Sequence, residues 1–118
     1  MDANLQIFLD ACSDAIIKDT RHGNWRDGDH DGEYLVSNED ILVEIEIDNY
    51  IYNGYITYGA TLIESCDEIY RTIDASIVYL CIYDTEICNL RNNEHISFSV
   101  NDEMISIIEK SYLKAINE

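Results

Sequence analysis

A chain of 118 residues, 47% of them hydrophobic, is long enough to bury a core and too apolar for disorder, so residues 1–118 are expected to form a single domain. Its 24 Asp and Glu against 7 Lys and Arg give a net charge of −17, which disfavours nucleic acid and anionic membranes as ligands and favours cations or a basic partner. No apolar run has membrane-spanning length, Leu5–Leu9 is too short and too closely flanked by acids for a signal peptide, and the four cysteines show no Cys-x-x-Cys or Cys/His ligand spacing, which points to free thiols in a reducing cytoplasm.

Asp2 is placed to cap a helix over about Ala3–Thr20. Leu5, Phe8, Leu9, Cys12, Ala15 and Ile16 recur at helical spacing and form one apolar stripe. Lys18 and Arg21 suit the negative pole of the helix, and Gly23 is a natural stop.

The next segment, Asp27-Gly28-Asp29-His30-Asp31-Gly32, matches the opening of a calcium loop. Carboxylates at alternate positions can converge on one hard cation, and a glycine permits the sharp turn. The match then fails. Asn38 stands where a bidentate Glu belongs, Glu39 comes one residue late, and Tyr34-Leu35-Val36 suggests a strand instead of an exiting helix. Asp27, Asp29 and Asp31 therefore make a weak candidate for Ca²⁺, and no cofactor is expected. Ser37–Asp40 is expected to be a turn.

The stretch Ile41–Ile63 has the alternation of a long hairpin. Asn53-Gly54 is the strongest two-residue turn signal in the chain. With the turn placed there, Ile47 meets Ala60, Ile45 meets Leu62 and Ile51 meets Ile56 on the buried face. Glu44, Glu46, Asp48, Tyr50 and Tyr52 then line the opposite face, with Tyr55, Thr57 and Thr61 across from them. Carboxylates two apart on a strand lie about 6.5–7 Å from one another, close to the step between successive phosphates of a nucleic-acid strand. No Lys or Arg occurs between Asp27 and Tyr70.

Beyond Ile63 the segment 64–74 is ambiguous. Ser65 and Glu68 have the spacing of a capping box, and a strand ending in an acidic loop fits equally well. The dense run Ala75–Tyr83 suggests a central strand covered on both faces. Asp84–Glu86 and Asn92-Asn93 are expected turns, and Ile96, Phe98 and Val100 alternate as a last strand. Asn101 is placed to cap a C-terminal helix with Asp102 and Glu103 in its first turn and Ile105, Ile108, Tyr112 and Ile116 as its buried stripe.

These elements predict an α+β fold, an antiparallel sheet of four to six strands with the N-terminal and C-terminal helices packed on one face. His22, His30 and His95 stand near no evident Ser or Cys nucleophile in the sequence, and no Gly-rich phosphate loop is present, so no enzyme is expected. In size, charge and lack of an active-site motif the chain resembles the small acidic DNA mimics with which phages block restriction or CRISPR nucleases, although no stretch matches the motif of one family. That resemblance implies a cytoplasmic inhibitor that occupies the basic groove of a nucleic-acid-binding protein such as a nuclease. The expected contacts are Glu44, Glu46, Asp48, Tyr50, Tyr52 and Tyr55, with Asp27, Asp29 and Asp31 behind them. An immunity protein against a cationic nuclease toxin and a calcium-binding or homo-oligomeric structural domain, such as a homodimer, are the alternatives.

Overall fold

A computed structural model describes residues 2–66 and 69–117 of the chain. Its elements are α1 (Ala3–His22), β1 (Arg26–Asp27), β2 (Glu33–Ile47), β3 (Tyr50–Cys66), β4 (Arg71–Asn89), β5 (Glu94–Ser97) and α2 (Asp102–Ile116). The strands form one antiparallel meander in the order β1-β2-β3-β4-β5. Both helices pack on one face of that sheet, so the fold is α+β. No helix among the described residues is long and apolar enough to cross a membrane.

Local chemistry sets the helix ends as expected. The Asp2 side chain accepts from the Asn4 amide and the Asn101 side chain from the Met104 amide, each satisfying a donor that the first turn leaves unpaired. The stripe of α1 delivers Phe8, Leu9, Cys12 and Ile16 to full burial, and α2 delivers Ile108 and Tyr112. They meet Val36, Val43, Tyr52, Ile56, Tyr58 and Leu62 of the sheet. Each such large side chain contributes about 1.5–3 kcal/mol by leaving water.

A buried hydroxyl chain ties the two layers together. Tyr58 donates to the Asp19 carboxylate at 2.5 Å, and Thr20 Oγ1 lies 3.0 Å from both the Tyr58 and the Tyr112 hydroxyls. With Tyr58 committed to Asp19, Thr20 donates to Tyr58 and accepts from Tyr112. Asn38 of β2 completes the Asp19 carboxylate with a bond of 2.8 Å. This chain joins α1, α2, β2 and β3 and leaves each buried hydroxyl satisfied.

The register of the long hairpin differs from the expected one. Ile47 pairs with Tyr50, Ile45 with Tyr52 and Val43 with Gly54, so Asp48-Asn49 is the turn and Asn53-Gly54 lies inside β3. Asp48 adopts φ 56°, a left-handed conformation that short polar side chains tolerate. Packing explains why Asn53-Gly54 lost the competition. A Cβ on Gly54 would stand 2.8 Å from Thr85 Cγ2 and 3.4 Å from Phe8 Cζ, so the glycine is where α1 presses closest onto the sheet. Ala60 and Leu62 keep their buried face but pair with Val36 and Tyr34. The shift spans an even number of residues, which preserves the facing of everything that stays on its strand. Residues that change strand turn over, so Tyr50 and Tyr52 move to the helix side and Ile51 moves to the open side.

Four further expectations are corrected. Ser37–Asp40 is no turn but part of an unbroken β2, in which Ser37 and Asn38 pair with Gly59 and Tyr58 and Glu39–Asp40 form a bulge opposite Thr57, with Asp40 at φ 55°. Asp84–Glu86 is a bulge in β4, where Asp84 and Thr85 together oppose Gly54 and Thr85 turns into the core. The run Ala75–Tyr83 is covered on one side only, since Val78 is 65% and Tyr79 44% exposed. Ser65 belongs to β3, and Glu68 of the capping box considered for it lies outside the described residues. The last strand stops at Ser97, and the Phe98 amide donates to the Thr85 carbonyl while its ring packs on Phe8.

Candidate functional site: the open face of the sheet

Both helices lie on one side, so the other side of the sheet is free, and pairing assigns its residues row by row. Nearest the β2–β3 turn, Glu46, Ile51, Cys88 and His95 lie side by side across β2, β3, β4 and β5. The next row is Glu44, Asn53, Glu86 and Ser97, followed by Leu42, Tyr55 and Tyr83. Thr57 and Cys81 come after the β2 bulge, then Ser37, Gly59 and Tyr79. The far end carries Glu33, Ile63 and Asp74.

The middle of this face is aromatic and the ends are acidic. Tyr55 and Tyr83 stack with ring centres 6.1 Å apart. Tyr79 lies over Gly59, where an added Cβ would come within 2.5 Å of the ring, so the glycine gives the tyrosine its seat. A closed set of bonds holds Asp40 to this patch. The Asp40 amide donates to Thr57 Oγ1 at 3.1 Å, Thr57 lies 3.1 Å from the Tyr83 hydroxyl, and that hydroxyl donates to the Asp40 carboxylate. The left-handed bulge thereby turns a carboxylate toward the sheet centre. Glu44 and Glu86 flank Asn53, two strand spacings apart, about 9.6 Å.

The charge is divided between the layers. Lys18, Arg21, Lys110 and Lys114 sit on the helices, Arg26 on the short edge strand, Arg91 in the β4–β5 turn, and Arg71 at the start of β4, where it bonds Glu64 at 2.7 Å. No basic residue lies between Glu33 and Cys66 or between Thr72 and Asn89. A face of one sign over an aromatic centre can hold a cationic surface, with rings supplying contact area and cation–π attraction and carboxylates supplying charge.

Of the residues expected at the site, Glu44, Glu46 and Tyr55 are on this face and exposed. Asp48 is exposed in the turn at its end, Tyr50 is on the helix side at the same tip, and Tyr52 is buried against Phe8 and Phe98. Asp27, Asp29 and Asp31 are not behind the acidic pair. They lie at the other end of β2, where Asp27 pairs with Tyr34, roughly 33–40 Å from Glu44 and Glu46 along ten to twelve residues of strand. Within that loop Gly28 N donates to Glu33 O, and the Glu33 side chain accepts from the Asp29 amide. Among the described residues no group of three or more His, Cys, Asp or Glu side chains is arranged to hold a metal ion.

Sequence reasoning missed Asp40, Tyr79, Tyr83 and Glu86. Tyr79, Cys81 and Tyr83 alternate, and that period was the available signal, hidden by the apolar residues between them. It also missed that Cys88 and His95 are cross-strand partners. No family model matches the chain, and no curated protein or solved structure matches it either.

Proposed function

We propose that the protein is a non-enzymatic acidic binding protein, an inhibitor of the anti-restriction or anti-CRISPR type whose open sheet face occupies the basic, nucleic-acid-binding groove of a cytoplasmic partner. The observation that carries this reading is the open face itself, an aromatic strip between carboxylates on strands β2 and β3 that hold no basic residue after Glu33. Glu44 and Glu46 keep the two-residue strand step, about 6.5–7 Å, that imitates adjacent phosphates. Glu86 replaces Asp48 as the third contact, Tyr55 is kept, and Tyr79 and Tyr83 replace Tyr50 and Tyr52. An immunity protein bound to a cationic nuclease toxin would use the same face.

A homodimer formed through this face is the second reading, favoured by exposed Leu42, Val78 and Tyr79. Like-charged Glu44, Glu46 and Glu86 oppose it, and small-angle scattering distinguishes it by mass. The main reading is tested by capture from host lysate at low and high salt, identification of the bound protein, and competition with double-stranded DNA. The expected partner is a nucleic-acid-binding protein that salt releases and DNA displaces. Replacing Glu44, Glu46 and Glu86 by Ser is expected to abolish capture while the melting temperature holds. Undiminished binding by the triple variant would overturn the assignment.

A further inference from the structure

On the open face, strands β4 and β5 bring three reactive groups together. Cys88 and His95 are directly opposite in register, with Cys88 Sγ 3.7 Å from His95 Nε2. The other ring nitrogen, Nδ1, bonds the Glu86 carboxylate. A carboxylate beside Nδ1 accepts a hydrogen bond from it and so holds the ring proton on that nitrogen, which leaves the Nε2 lone pair facing the thiol. The site is open to solvent, with the His95 and Glu86 side chains 57% and 37% exposed, and Cys88 is a free, half-buried thiol.

We infer that Cys88 is a base-assisted nucleophile and the covalent modification site of this protein for small soft electrophiles and low-molecular-weight disulfides. In the disulfide reaction His95 Nε2 takes the thiol proton as Sγ attacks. A new S–S bond forms to Cys88, the S–S bond of the reagent breaks, and its departing thiolate recovers the proton from His95. In alkylation by a haloacetamide an S–C bond forms, the carbon–halogen bond breaks, halide leaves, and His95 passes the proton to water. Glu86 is a positioning residue that holds the ring. Two strands away on the same face, past the neutral Ile51, lies Glu46. It adds negative charge beside the site, so a neutral reagent is the appropriate probe.

The chain carries its own controls. Cys81 is an exposed thiol on the same face of the same strand, opposite Thr57. Cys12 is fully buried on the inner face of α1. Limiting iodoacetamide at neutral pH, followed by peptide mapping, reads all of them in one sample. Cys88 is expected to be alkylated at least about ten-fold faster than Cys81, a modest share of what a placed general base contributes. His95→Ala is expected to bring Cys88 down to the Cys81 rate, with added imidazole restoring Cys88 and leaving Cys81 unchanged. Glu86→Gln is expected to slow Cys88 alone. Protection of Cys12 in each variant certifies that the fold is retained, and a variant that loses it is replaced by His95→Asn. A Cys88 rate no greater than that of Cys81, or one that folded His95 variants do not lower, would overturn the inference.

Discussion

Hydroxyls and a thiol that the fold keeps neutral make its stability sensitive to alkali. Burial pushes the Tyr58 hydroxyl well above the ordinary tyrosine range, and donation to the Asp19 carboxylate pushes it further, against a smaller opposing effect of Thr20. Tyr112 is raised by burial, and the Cys12 thiol is pushed up to about 12 by burial alone. Unfolded chains ionise Cys near pH 8.5 and Tyr near pH 10, both approximate. Groups whose ionisation the folded state raises contribute fully below those values and lose their contribution as pH climbs toward the folded ones. The melting temperature followed by circular dichroism is therefore expected to fall from about pH 8.5 and more steeply above about pH 10. Tyr58→Phe, which strips Asp19 and Thr20 of a partner, is expected to cost about 1–2 kcal/mol in denaturant unfolding. The apolar half of this junction was legible in the sequence, because Phe8, Leu9, Cys12 and Ile16 repeat at helical spacing. The polar half was not, since no spacing rule links Thr20 to tyrosines 38 and 92 residues away.

Between elements, two turn signals five residues apart competed for one hairpin, and the loser became a contact point. Opposite mutational signs test that outcome. Gly54→Ala drives a methyl into Thr85 and Phe8 and is expected to destabilise by about 1–3 kcal/mol. Asp48→Gly relieves a left-handed non-glycine residue and is expected to leave stability unchanged or raise it by a few tenths to about 1 kcal/mol. Were Asn53-Gly54 the turn, Gly54→Ala would still be costly at its positive φ, but Asp48→Gly would fall inside a strand and lower the melting temperature. Alternation along Ile41–Ile47 correctly set that strand's faces. What it could not supply was the position of the bulges at Asp40 and Asp84, because a left-handed Asp inside a strand has the same letters as a turn. Glu44, Glu46 and Tyr55 therefore fall on the open face as expected, whereas Tyr50 and Tyr52 belong to β3 and not to the strand expected of them.

For the whole molecule, self-repulsion governs the electrostatics at long range. With a net charge of −17 and the basic residues kept mostly to the helix layer, screening by salt removes more repulsion than attraction. The melting temperature is expected to rise between about 10 mM and 500 mM NaCl, the range over which the Debye length shrinks from about 30 Å to under 5 Å. The same salt is expected to weaken capture of the partner, so stability and binding should move in opposite directions along one titration. A melting temperature indifferent to salt would show that the acids are too dispersed to act as one field.

The helices are shorter than the sheet they cover. At 20 and 15 residues they span about 30 and 22 Å, whereas the 17 and 19 residues of β3 and β4 extend roughly 56 and 63 Å. Past Ile63 and Asp74 these two strands lose β2 as a partner, and beyond the Glu64 amide's bond to Gly32 O and the packing of Ile73 on the core they run on as a ribbon to the pair Cys66 and Arg71. An isolated two-stranded ribbon is barely stable in water. Amide protons of Ser65–Cys66 and Arg71–Thr72 should thus exchange with deuterium orders of magnitude sooner than those of Ile56–Tyr58, through openings that never wet the interior. The sheet is built like a clasp knife: the described strand ends beyond the helices yield locally while the handle stays shut.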